Sequence, residues 1–294
     1  MSNIVGTCTT KCPAEEIKMR ERERLLHPLE VQSSVERQRC PKADVNRVVK
    51  CHVRCAAGQS LQKPTNLRTV PALLDTINYL LDSVITNTKF PQNVIYDFIC
   101  DRLMAVRQDV VVQNLVSLAC IRILQSVVTF HAYAAFCFYK EPISKFDPKL
   151  NNKHLQETLK KLLKIYSESD AAESNKRTSF ESIYLLHNLG NAEAMRHALQ
   201  LPKNLRERSE LKLSLEISLS FVKRNYLRAC RLMEKLPLLL EAVASLHFPR
   251  INEDVAIVMS KAYRNNDYPL NNLLETNNLA LSERKLLRYS KYQL

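Results

Sequence analysis

Apolar positions from Tyr96 to Gln113, YDFICDRLMAVRQDVVVQ, recur at helical spacing, and the stretch holds no Gly or Pro. Ile99, Leu103, Val106 and Val110 form one stripe, and Met104 and Val111 widen it until little surface is left for water. A helix that is apolar nearly all round is a buried helix. Asp101, Arg102, Arg107, Gln108, Asp109 and Gln113 nevertheless sit in it. Buried charge is costly unless paired. The pattern therefore predicts that these groups pair with one another or with a neighbouring helix at fixed positions. Arginines within reach of Asp101 and Asp109 lie on the same helix, so ion pairing accounts for both carboxylates better than acid–base chemistry does.

The same periodicity predicts helices over Pro71–Ile85, Pro91–Asn114, Leu115–Tyr139 and Asn151–Ser167. Shorter ones follow at Phe180–Leu189, Ala192–Leu199, Leu205–Lys223, Tyr226–Lys235, Pro237–Leu246 and Asn252–Arg264, with a last helix near Ser282–Ser290. Consecutive pairs of this size suggest stacked helical repeats. The first part of the chain reads differently. Residues 1–13 are irregular, and Pro13 suits the first turn of a helix. Alternating Glu and Arg or Lys from Glu15 to Arg24 predicts a solvated helix with a thin apolar edge at Ile17, Leu25 and Leu26. Residues 27–69, with Pro28, Pro41 and Pro64, read as an extended segment wrapping the helical body, with a short helix near Asp44–Lys50. The expected division is residues 1–69, a wrapping segment; 70–248, a helical stack; and 249–294, a C-terminal unit.

Composition narrows the class. Of 294 residues only three are glycine, while 46% are apolar. Phosphate-cradling loops, hairpins and positive-φ turns draw on Gly, so a Rossmann fold, a P-loop and an all-β protein are excluded and an all-α protein is expected. The net charge of +13 points to an acidic partner: RNA, DNA or an acidic protein. No apolar run follows Met1, so the nine cysteines are expected to be reduced, in cytosol or nucleus. No apolar stretch reaches the ~18–20 residues that span a membrane, and no membrane insertion is expected.

Candidate chemistry is sparse. Cys8 and Cys12, then Cys51 and Cys55, form two C-x3-C pairs with Cys40 and His52 nearby. Zinc knuckles favour C-x2-C, so these cysteines are better read as small apolar groups anchoring the N-terminal segment. Cys12 precedes a helix start, where a thiol pKa can fall. No nucleophile–base–orienter set accompanies it, and no enzymatic activity, cofactor or metal is expected. His131, after Phe130 in an apolar helix, reads as a hydrogen-bonded core histidine. The binding candidates are basic: Arg224, Arg228, Arg231 and Lys235, and then Arg284, Lys285 and Arg288 with Tyr289 and Tyr292 interleaved. Aromatics beside cations can stack on single-stranded bases. Lys50, Arg54 and Arg68 can tie the wrapping segment to the body.

The motifs also carry a resemblance. Asp101-Arg102-Leu103, Ala105-Val106-Arg107-Gln108-Asp109-Val110 and Gln113 resemble the central motif of the GANP (Sac-three homology) family. Gly6-Thr7-Cys8, Cys12-Pro13, Glu16, Arg20 and Glu30 resemble its opening signature. Val49-Lys50, Arg54, Leu67-Arg68, Tyr79-Leu80 and Phe130-His131 follow in order. Tyr184 to Gly190 and Ala198 to Pro202 look most like the short, centrosome-associated members. The resemblance implies a PCI/TPR-like helical-repeat stack with an extended N-terminal segment and a C-terminal winged-helix unit, here incomplete because its hairpin is missing. It implies a non-enzymatic scaffold in nuclear mRNA export, in centrosome duplication and spindle assembly, or in both. The alternative is a direct RNA-binding module. Implied partners are a PCI-type protein, a small acidic subunit, RNA, and centrosomal or spindle proteins. Implied locations are nucleus and cytoplasm, with centrosome or spindle as a further setting. Lys11, Cys55, Gln125 and Thr129 depart from the family pattern.

Overall fold

The computed structural model describes residues 4–32, 41–53, 63–168 and 176–262. The fold is an all-α helical-repeat architecture, without strands among the described residues. By contacts the chain divides into two compact units, residues 1–127 and 128–294.

The first unit contains α1 (Ala14–Arg22), α2 (Val70–Asn78), α3 (Gln92–Val112) and the start of α4 (Leu118–Cys137). A six-residue π-helical stretch, Tyr79–Val84, continues α2, so the expected helix Pro71–Ile85 is real but changes pitch. Ile99, Leu103, Val106 and Val110 of α3 are all fully buried. Val111 is 62% exposed, however, so the stripe is narrower than its composition suggests. The short helix expected near Asp44–Lys50 is a single turn, with Arg47 and Val48 N–H both donating to the Asp44 carbonyl. It stops because the next N–H groups leave: Val49 donates to the Glu30 carboxylate and Lys50 to the Lys11 carbonyl. Pro13 is extended and precedes α1 as its N-cap instead of lying in its first turn. Leu25 is exposed, whereas Ile17 and Leu26 pack on Cys12, Ala43 and Val48.

The second unit holds α5 (Pro148–Glu168), α6 (Arg177–His187), α7 (Ala192–Gln200), the single turn α8 (Lys203–Arg206), α9 (Ser209–Val222), α10 (Tyr226–Met233), α11 (Leu238–Ser245) and α12 (Phe248–Ala262). Within it, α6 packs on α5, α7, α9 and α11, and α9 pairs with α10. Asn191 and Asn225 cap α7 and α10 with their side chains. The single helix expected over Leu205–Lys223 is broken at Arg208, which is extended. Leu205 and Leu211 are both buried. Six residues apart on one helix they would lie ~120° apart; the bend at Arg208 leaves both in the core.

α4 corrects a second expectation: it is long and apolar enough, by length and composition, to cross a bilayer. Its apolar side chains, from Cys120 and Ile123 to Val128 and Ala132, are instead buried within the protein, alongside Gln125 and His131.

Scarce glycine leaves a mark at helix ends. α1, α3 and α9 all close with a left-handed residue that is not glycine: Arg24 (φ 57°), Asn114 (φ 48°) and Arg224 (φ 57°). In each, the following N–H reaches back to the carbonyl five residues earlier, as Asn225 does to Ser220. For an L-residue this conformation costs about 1 kcal/mol. Arg224→Gly is therefore expected to stabilise the fold by about 1 kcal/mol. A urea midpoint that does not rise would sink that expectation.

Candidate functional site

The N-terminal segment is bound to α3 by buried ion pairs centred on two carboxylates. The first is Asp109, fully buried on α3. Lys50 Nζ lies 2.6 Å from its Oδ1, and Arg68 Nε lies 2.7 Å from its Oδ2. Lys50 also donates to the Asn66 carbonyl at 2.6 Å. The second is Glu30, likewise fully buried. It pairs with Arg20 of α1 and with Arg102 of α3, and it accepts N–H groups from His27 and Val49. Burial alone would raise the Glu30 pKa, but Arg102 and Arg20 more than offset this and hold it below its ordinary value.

Neighbouring polar groups extend the joint. Gln113 accepts the Gly6 N–H at 2.8 Å and donates to the Arg68 carbonyl at 3.0 Å. A Cβ on Gly6 would fall 2.5 Å from the Leu67 carbonyl oxygen, so only glycine permits this approach. Cys8 and Thr69 complete a short parallel bridge: Cys8 N–H donates to Leu67 and Thr69 N–H to Cys8. Glu16 accepts the Cys51 N–H, and Asp101 accepts Arg102 and the His52 N–H. Gln108 donates to the Val53 carbonyl, and Arg107 is half-buried on the same helix.

Sequence expectation and geometry differ in two respects. Asp109 does not use arginines of its own helix; its partners come from loops 59 and 41 residues away. Asp101 alone pairs locally, with Arg102 at 2.6 Å. Nor does the helix start lower the Cys12 pKa. Burial pushes the Cys12 thiol up, and pushes Cys51 up to about 12. Cys12 packs with Ala43 and Val48 as a small apolar group. Arg54, Cys40 and Cys55 lie outside the described residues, as do Arg284, Lys285 and Arg288.

The other named residues lie in the second unit. His131 is fully buried; its Nδ1 is 2.8 Å from Asn151 Oδ1, and Asn151 donates back to the His131 carbonyl at 3.0 Å. Phe130 is buried beside it, ring edge to His131. A third buried carboxylate, in this unit, has no counterpart among the residues the sequence singled out: Glu181 holds Arg177 at 3.2 Å and His197 at 2.7 Å. The Arg177–Glu181 spacing of four on a helix was its only sequence signal. Arg224, Arg228, Arg231 and Lys235 are all exposed around the α9–α10 turn.

The model of the SAC3/GANP family matches residues 11–291. The chain is 27% identical over 235 residues to Protein xmas of Drosophila melanogaster, a match spanning 78% of this chain and 11% of that protein. It is 24% identical over 226 residues to SAC3 family protein 1 of Schizosaccharomyces pombe, spanning 76% and 21% respectively. To SAC3 family protein B of Arabidopsis thaliana it is 28% identical over 174 residues, spanning 57% and 10%. The chain thus matches about a tenth to a fifth of the length of these curated relatives. With the family model covering nearly all of it, the chain belongs to the SAC3/GANP family.

Proposed function

We propose that this chain is a non-enzymatic helical scaffold for assembly of nuclear mRNA-export complexes, receiving a PCI-type protein with a small acidic subunit. The observation that carries this reading is the buried clamp. Lys50, Arg68, Arg20 and Arg102 are held inside the fold by Asp109 and Glu30, which binds their charge to architecture and leaves none of it facing a substrate. A unit braced in this way is suited to presenting surfaces to other proteins. The family's link to mRNA export supplies the setting, and the centrosome and spindle are a second setting for the same scaffold.

The test is affinity purification of the tagged full chain from interphase and mitotic cells, with partners identified by mass spectrometry. Recovery of a PCI-type protein, a small acidic subunit and export factors is expected. Recovery of centrosomal and spindle proteins without them would replace the export assignment with a mitotic one. Recovery of neither group would remove the scaffold reading.

A further inference from the structure

We infer that the outer face of the α9–α10 hairpin is a docking surface for an acidic amphipathic peptide segment of a partner protein. The inference deepens the scaffold reading and rests on it. Exposed aliphatic and cationic side chains alternate here. Leu219, Val222 and Leu227 are 41%, 55% and 44% exposed. Arg224, Arg228 and Arg231 stand beside them, also exposed. The faces of the two helices adjoin, because the Arg228 guanidinium on α10 lies 3.9 Å from the Glu216 carboxylate on α9. That pair is open to water and long, so it is weak and can be exchanged for another carboxylate.

Charge selects the sign of the partner. From Glu216 to Lys235 the sequence carries five cations, Lys223, Arg224, Arg228, Arg231 and Lys235, against two carboxylates, Glu216 and Glu234. The aliphatic component selects its class. Single-stranded nucleic acid is held by cations together with aromatic rings on which bases stack. Both aromatics of this hairpin are withdrawn: Phe221 and Tyr226 are buried edge to face, and the Tyr226 hydroxyl bonds to Asp254 at 3.0 Å. What remains exposed is leucine and valine between arginines, which suits a helix with leucines on one face and carboxylates beside them.

The experiment is fluorescence anisotropy on the full chain with three labelled probes. One is a synthetic peptide with Leu on one helical face and Glu on the other, one is polyglutamate of equal charge, and one is oligouridylate. Tightest binding of the amphipathic peptide is expected. Arg228→Glu with Arg231→Glu should weaken it about tenfold or more. Leu219→Ser with Leu227→Ser should weaken it while leaving polyglutamate unchanged. Arg224→Gly should raise the melting temperature and weaken the peptide together. Circular dichroism and melting curves identify any variant that fails to fold, and the Gln versions of the Arg positions then serve instead. Tighter, steeply salt-dependent binding of oligouridylate would overturn the inference in favour of a nucleic-acid face. Peptide binding that survives both arginine changes would overturn it outright. If the doubly changed chain still recovers its partners from cells but the wild type ignores the peptide, this inference fails and the scaffold reading stands.

Discussion

Asp109→Ala is expected to destabilise the N-terminal unit by about 3–5 kcal/mol, among the largest effects open to a single side chain here. Asp109 is fully buried, as is Arg68, and Lys50 nearly so. Removing the carboxylate leaves two cations in a low-dielectric interior with only backbone carbonyls, of Asn66 and Lys11, to solvate them. Urea denaturation measures the loss, and limited proteolysis should cut the segment before α2 first. The pair itself need not be net stabilising, since its desolvation cost is large. Replacing Lys50 and Arg68 by Met on the Asp109→Ala background should therefore recover much of the loss. A single variant as stable as the wild type would show that these ions are not sealed from water. Glu30 adds a pH dependence of the usual carboxylate sign. Its folded pKa is depressed, so its contribution is present above its ordinary pKa and is lost as pH falls through the lower folded value.

Acid should also loosen the second unit, through a histidine. His187, at the end of α6, is pushed down to about 4 by burial, with His247 nearby adding to the effect. His247 is lowered too, again chiefly by burial, while its Nε2 is 2.9 Å from the Leu186 carbonyl oxygen. As pH falls below the ordinary value of 6.5, the unfolded chain takes up a proton that the folded chain refuses until about 4. Stability is thus complete above pH 6.5 and declines between 6.5 and 4. The loss reaches about 3 kcal/mol, at about 1.4 kcal/mol per pKa unit. Carboxylates also titrate near the lower end, so the informative quantity is the difference between wild type and His187→Gln across that range. The variant should lose much less stability on acidification. Parallel curves for the two proteins would eliminate His187 as the source.

The helices were legible where periodicity is long and ends are marked. α3 follows from its apolar stripe, and α7 and α10 begin at Asn191 and Asn225, whose side chains do the capping. The break at Arg208 was not legible, because Leu205 and Leu211 each suit a helix and neither Gly nor Pro marks the stop between them. Arg20 shows a similar limit. It sits in an alternating run of charges that reads as solvated, yet it is 2% exposed because Glu30 waits for it ten residues on. For the clamp, the sequence shows that α3 carries too many charges for its apolarity, which announces partners without naming them. Pairings across 41 to 107 residues leave no periodic trace. Glu30 stood among the motif residues, but nothing in its spacing marks it as the acceptor of two arginines from different elements.

The clamp also orders events during synthesis. Gly6 and its acceptor Gln113 are 107 residues apart. At about 5–20 residues per second, the ribosome delivers the acceptor roughly 5–20 s after the donor. Arg20 and Glu30 can meet almost at once, but Lys50 and Arg68 emerge before Asp109 exists. Until α3 appears, the leading segment is a tethered ligand awaiting its own receptor, and chaperones or nascent-chain proteases have that interval in which to act on it.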